Sequence, residues 1–331
     1  MARRVIVFAI FVVMMVFAVS TSLLASEAGE NDDADFIRWI DFDIPLSVLN
    51  QAYKYDTESQ DSEFPLDFVQ LLAYAASKNW GNFEKNEKSE AMDDVVNRIR
   101  SGENLHEIVD GMKLYEFYFE AYRAVLGGFV GSYTIKTDDK EGFPEKHYGL
   151  KVFSPIAKGY HFTHSDDFGN PRSYGYRRPH LGHDLFGNEG TPIIAVEDGV
   201  VEALGWNQYG GWRIGIRSID GKRYYYYAHL RKDRPYAAGL ETGKNVCAGD
   251  VIGYLGATGY SVKENVCNIK VPHLHFGMQI IFDESQKDGK NQIWIDAYNI
   301  VRFLSKNRME VLRDDKGEYI RAITIDNMPS E

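Results

Sequence analysis

The sequence predicts an α+β protein, a small helical N-terminal domain followed by a mainly antiparallel β-sheet domain. Three observations point there. Charge is unevenly spread: residues 27–147 carry 12 basic and 26 acidic side chains, residues 148–331 carry 23 and 22, so an acidic half is joined to a nearly neutral one. The first half repeats apolar residues at helical spacing. The second half breaks into short alternating runs cut by glycine, the pattern of strands and turns. A hydrophobic content of 44% is enough to fill a core. With no basic stripe anywhere, nucleic acid is excluded as a partner.

The first 26 residues read as an export leader. Arg3 and Arg4 precede an unbroken apolar run from Val5 to Val19, the shape of a secretory signal. Counted on to Ala25, the segment reaches about 20 residues, long enough for an uncleaved membrane anchor. Either way the remainder is expected to be exported, on the outer face of the cytoplasmic membrane or secreted to the cell wall. Cys247 and Cys267 are the two cysteines; in an exported chain they either pair or stay as free thiols.

Residues 27–135 form the predicted helical domain, after an acidic spacer at 27–35. "FPLDFVQLLAYAASKNW" sets Phe68, Leu71, Leu72 and Ala75 on one helical face. "ENLHEIVDGMKLYEFYFEAYRAVLGG" repeats the pattern over a longer span and stops at Gly127-Gly128. Charged residues with Gly and Pro mark 136–149 as a linker or long hairpin loop. Residues 150–305 are the β-rich domain. It contains an Asp-Gly hairpin signal in "IDGKRYY" and a helix expected around Ile295 to Leu304. Residues 306–331 are a C-terminal extension.

The chemistry lies in the β-rich part. "RRPHLGHDLFGNEGTP" holds His180, His183 and Asp184, and "VPHLHFGMQ" holds His273 and His275. In an extended segment His180, Gly182 and Asp184 share one face, as do His273 and His275. "YYYYAHL" puts Tyr225, Tyr227 and His229 on one face. Hydrolytic zinc needs three protein ligands and an open position for water, and a further imidazole can move a proton near pH 7. These segments supply enough donors for both. His183 points away from His180, towards a supporting or surface role. His161 and His164 fall in a loop near the cleft mouth, by default on the surface.

The ordered set "HLGHD", "GTPIIAVEDGVV", "YYAHL", "AGDVIGYLGATGY" and "PHLHF" resembles the lysostaphin-type, LytM-like M23 zinc metallopeptidases. The resemblance covers roughly residues 150–285. Within the family the chain looks like membrane-anchored Firmicutes members with a helical N-terminal region. It implies the duplicated hybrid fold of that family and one Zn2+ per chain held by His180, Asp184 and His275. His229 and His273 are the implied catalytic histidines, and Tyr174, with Tyr176 as rival, stabilises the transition state. The implied activity is an exported endopeptidase that hydrolyses peptide bonds of peptidoglycan stems or cross-bridges through zinc-activated water. Two departures bear on specificity: the insertion "YSVKENVCNIKVP" before the last histidines, and Gly277 where an acidic residue is frequent.

Two other classes compete. A catalytically silent envelope module that activates another wall hydrolase would have lost a ligand, and here the set is complete. A sugar-phosphotransferase carrier domain would be cytoplasmic and would not need Asp184, and the leader opposes it. The acidic helical domain could bind an envelope protein partner under any reading.

Overall fold

In a computed structural model of the chain, residues 38–40, 42–84, 87–136, 145–287 and 289–327 are described. The expected leader, residues 1–26, lies outside them. Among the described residues no helix is long and apolar enough to cross a membrane.

The helical region comprises α1 (Leu46–Ser59), α2 (Phe68–Asn79), α3 (Glu90–Arg100), α4 (Leu105–Val109) and α5 (Tyr115–Leu126). α2 follows directly from the apolar spacing: Phe68, Leu71, Leu72 and Ala75 are all buried. Its start is fixed by Asp67, whose side chain accepts from the Gln70 amide, satisfying one of the orphan donors of the first turn. Ser89 caps α3 in the same way. Asp56 of α1 reaches across to accept the Phe68 amide at 2.7 Å. The span 103–126 is two helices rather than one: Gly111, at φ +74°, takes the chain out of helix between α4 and α5, a conformation that costs glycine little.

The strands are β1 (Arg38–Ile40), β2 (Val130–Lys136), β3 (Glu145–Leu150), β4 (Phe162–Thr163), β5 (Pro171–Arg172), β6 (Arg178–Pro179), β7 (His183–Gly187), β8 (Pro192–Ile194), β9 (Gly199–Asn207), β10 (Gly211–Ser218) and β11 (Arg223–Ala228). They continue with β12 (Asn245–Val246), β13 (Val251–Tyr254), β14 (His273–Ile280), β15 (Ile293–Ile295), β16 (Val311–Arg313), β17 (Tyr319–Arg321) and β18 (Thr324–Asn327). The main sheet has nine strands and runs β1-β15-β14-β11-β10-β9-β12, with β7 and β4 branching from β14. All its pairings are antiparallel except β1 with β15. Among the described residues only α6 (Tyr298–Leu304) interrupts the β-rich half with an α-helix. Ile295, expected in that helix, is instead the last residue of β15, paired with Met278 of β14 on one side and Ile40 of β1 on the other.

Packing runs across the boundary that composition suggests. Residues 145–149, expected in the linker, belong to β3 and pair with β2. β18, from the C-terminal extension, closes on the other side of β2. One core cluster joins helices and sheet. Phe303 of α6 stacks on Phe68 of α2 with ring centroids 5.6 Å apart. The buried Arg223 guanidinium, paired with Glu197 at 2.8 Å, donates to the Ala124 carbonyl of α5 at 3.0 Å.

Candidate metal centre and cleft

Strand register assembles the centre. The first half of β14 pairs with β7, the second half with β15. His275 therefore sits directly opposite Asp184, and cross-strand partners face the same side. His183 pairs with Phe276 on the other face and is fully buried. His180 arrives by another route. Regular strand stops at Pro179 and resumes at His183, so a bend, not strand alternation, brings its ring to Asp184. Hydrogen bonds hold that bend to the preceding turn, from His180 N to the Asn170 carbonyl and from Gly169 N to the His180 carbonyl. Gly182 at the bend has no room for a side chain, since the His275 ring lies 2.5 Å from where a Cβ would be.

Three donor atoms converge. His180 Nε2 lies 3.0 Å from Asp184 Oδ1 and 2.8 Å from His275 Nδ1, and His275 Nδ1 lies 3.2 Å from Asp184 Oδ1. Among the described residues this is the one His/Cys/Asp/Glu group of its kind. Two imidazole nitrogens and one carboxylate aimed at a common point are a zinc donor set; ligand bonds of about 2.0–2.1 Å leave donors about 3.3 Å apart, close to the spacing found. The residues fit the ion.

A supporting layer lies behind His180. Its Nδ1 is 3.1 Å from Asp167 Oδ2, the carboxylate–imidazole contact that orients a ligand ring. Arg172 donates to Asp167 at 2.7 Å and to Asp184 at 3.1 Å. His183 Nδ1 lies 3.4 Å from Asp167 Oδ1, and its Nε2 meets His164 Nδ1 at 2.7 Å. His164 is thus half-buried in this layer rather than on the surface, while His161 is exposed. Asp167 and Arg172 escaped the sequence reading, since nothing in "SDDFGNPRS" separates Asp167 from its exposed neighbour Asp166.

Charge follows this wiring. Burial works to lower the His180 pKa, but hydrogen bonds to the Asp167 and Asp184 carboxylates prevail and raise it to about 9. For Asp184, burial acts upward, yet the hydrogen bonds from His180 and His275 hold its pKa well below the carboxylate range. His275 is lowered to about 4, chiefly by burial.

His229 and His273 stand beside the donors with ring centroids 4.8 Å apart. His229 Nδ1 is 2.9 Å from the Thr258 carbonyl, and His273 Nδ1 is 2.8 Å from the Val271 carbonyl. A carbonyl only accepts, so each Nδ1 carries the hydrogen and leaves Nε2 as the working nitrogen. Burial, together with the neighbouring imidazoles, drives the His229 pKa well down, so the ring is neutral. Its backbone is left-handed, at φ +60°. Tyr174 stacks on Tyr260 at 4.7 Å and lies edge-on to Tyr209 at 6.0 Å. Both of these, with the rival Tyr176, line the cleft, and Tyr260 comes from the insertion.

The cleft, of about 490 Å³, continues from the donors over the outer face of β14, β11, β10 and β9. Tyr224 and Tyr226 line it, whereas Tyr225 and Tyr227 are core. Gly277 makes room for Trp294, a cleft-lining residue whose ring packs 2.6 Å from where a Cβ would stand; the indole occupies the space an acidic side chain would need. Cys247 and Cys267 are free thiols.

Residues 178–291 match the peptidase family M23. M23 peptidases are zinc enzymes, in accord with the donor set. The chain is 43% identical over 148 residues to an L-Ala–D-Glu endopeptidase of Bacillus subtilis, 45% of this chain and 41% of that protein. It is 41% identical over 98 residues to the glycyl-glycine endopeptidase ALE-1 of Staphylococcus capitis, 29% and 24% of the two chains. The chain thus spans about two fifths or less of these curated relatives. A solved structure of a putative glycyl-glycine endopeptidase LytM from Ruminococcus gnavus is 23% identical, covers 80% of this chain and 91% of that one, and superposes with a TM-score of 0.48.

Proposed function

We propose that the chain is an exported zinc endopeptidase that hydrolyses peptide bonds of cell-wall peptidoglycan, anchored at the outer face of the cytoplasmic membrane or released into the wall. The observation that carries the reading is the β7–β14 register, which sets His275 opposite Asp184 with His180 Nε2 closing the triangle. The M23 match and the leader sequence support it. The silent-module alternative requires a missing ligand, and all five expected histidine and aspartate side chains are present and adjacent. The longer, more similar match is to the L-Ala–D-Glu endopeptidase, so the bond we propose lies in a stem peptide rather than a glycyl bridge.

A zinc ion held by His180, Asp184 and His275 would polarise the scissile carbonyl and acidify a water molecule. The chain's own residues do the rest. One of His229 and His273 accepts a proton from water at Nε2 and, once charged, delivers that same proton to the leaving amine. The Thr258 and Val271 carbonyls keep both rings in the tautomer this needs. Asp167 holds His180 in place through Nδ1. The cleft tyrosines are positioned to donate to the developing oxyanion. The acidic helical region would be the docking surface for an envelope protein, checked by crosslinking in intact cells.

The test is elemental analysis of the purified full chain together with mass analysis of digested wall fragments. One zinc and released peptide fragments are expected. His180→Ala should lose both, and His229→Ala should keep the metal and lose activity. Full activity in His229→Ala would overturn the assigned roles; a native chain that never holds zinc would overturn the enzyme.

A further inference from the structure

Beyond the metal, the cleft floor carries positive charge that the protein leaves uncompensated. Four cations and two carboxylates line the cleft, on a chain whose net charge is −11. Both carboxylates are engaged: Asp184 in the donor triangle, and Glu202 with Lys287 at 3.2 Å and Arg217 at 3.4 Å. Arg172 is spent on Asp167 and Asp184. That leaves Arg178 and Arg213, which form no ion pair among the described residues. Arg178 donates to the Tyr174 carbonyl at 2.7 Å and lies 4.6 Å over the Tyr209 ring. Arg213 makes no side-chain hydrogen bond, and its Nε is buried without a partner.

Both arginines line the same cleft as the Tyr226 phenol. Asn207 Nδ2, on β9, donates to the Tyr226 oxygen on β11 at 3.0 Å, across β10, which carries Arg213, leaving the hydroxyl hydrogen for a ligand. Register places this group beside the reaction centre. Ala228 pairs with His275, Arg213 follows one step beyond the Ile214–Tyr227 pair and so opposes Ala228, and Gly205 pairs with Arg213 on the far side. Alanine and glycine flank the arginine on the same face, so nothing blocks it. Two strand spacings put it about 10 Å from His275, within about three residues of the scissile bond.

Two guanidinium groups and a hydroxyl donor lining one cleft without a paired carboxylate are complementary to a carboxylate. We propose that Arg213, Arg178 and the Tyr226 hydroxyl form a receptor for a free carboxylate of the substrate peptide, and that this receptor selects acidic stem peptides over neutral ones. The proposal rests on the endopeptidase reading and names its substrate class.

The experiment is calorimetry on the full chain carrying His229→Ala, zinc-loaded, so that peptide binds without turnover. The probes are a synthetic stem peptide beginning L-Ala–D-Glu and the same peptide with the glutamate carboxylate converted to a carboxamide. The acid should bind at least about tenfold more tightly, roughly the discrimination of one charge-assisted contact. Adding Arg213→Gln should reduce that ratio to under threefold, and Arg178→Gln should reduce it too. Equal binding of acid and amide, no binding of the acid, or a ratio that survives Arg213→Gln overturns the receptor. The acid–amide comparison needs no substitution in the receptor, so misfolding of an arginine variant cannot obscure it. Wall digestion by the native chain is read separately: if it fails, the endopeptidase reading falls while the binding ratio still decides the receptor.

Discussion

A methyl group at position 182 would land 2.5 Å from Cε1 and Nε2 of His275 and 2.9 Å from the Phe276 carbonyl oxygen. Ordinary contact begins near 3.4 Å, so the imidazole of Gly182→Ala must retreat by about 0.9 Å, several times the roughly 0.2 Å tolerance of a metal-ligand distance. The other contact cannot yield in its place, because Phe276 is tied into the β7–β14 ladder opposite His183. Overpacking of this kind costs about 1–3 kcal/mol of stability. The larger effect is expected on the metal: a zinc affinity at least about 100-fold weaker, which is about 2.7 kcal/mol. Competition against a chromophoric chelator measures it, with a thermal melt to confirm that the variant folds. A folded Gly182→Ala chain that binds one zinc within threefold of the native affinity would refute the steric reasoning.

Three further outcomes are expected. Asp167→Asn should weaken zinc binding by about 10–100-fold, as loss of an orienting carboxylate does, measured by the same competition. Asp56 is pushed up to about 6, mainly by burial. A raised folded-state pKa stabilises below the unfolded value and loses that contribution as pH rises through about 6. Denaturant titrations from pH 3 to 8 should therefore show the native chain losing up to about 3 kcal/mol relative to Asp56→Asn, most of it between about pH 4 and 6; parallel curves would contradict it. Zinc at a thousandfold excess over its dissociation constant should stabilise the fold by about 4 kcal/mol, seen as a rise in melting temperature that a chelator reverses.

Periodicity within one segment was readable, and pairing between segments was not. α2 follows from local spacing, and β14 from its alternation around His273 and His275. The break at Gly111 and the strand at Ile295 were missed because a positive φ and an edge pairing leave no mark in apolar spacing. The donor triangle was readable only through its resemblance, since 95 positions separate His180 from His275. Alternation gave the right face for His180 for the wrong reason, a bend standing where an extended strand was expected. Asp167 and Arg172 depend on side chains meeting across a turn, and Arg178 and Arg213 on separate strands lining one cleft.

The left-handed backbone at His229 is strain that the ring itself holds in place. A non-glycine residue in this conformation costs about 1–2 kcal/mol, and glycine would relieve it. His229→Gly would also empty a buried site and leave the Thr258 carbonyl without its donor, at about 2–5 kcal/mol, so the variant should melt below the native chain as well as lose turnover, which differential scanning calorimetry beside a wall-digestion assay would show. Loss of this one ring is therefore a loss to the fold too, and a chain drifting without selection for activity would still be held to its histidine by packing.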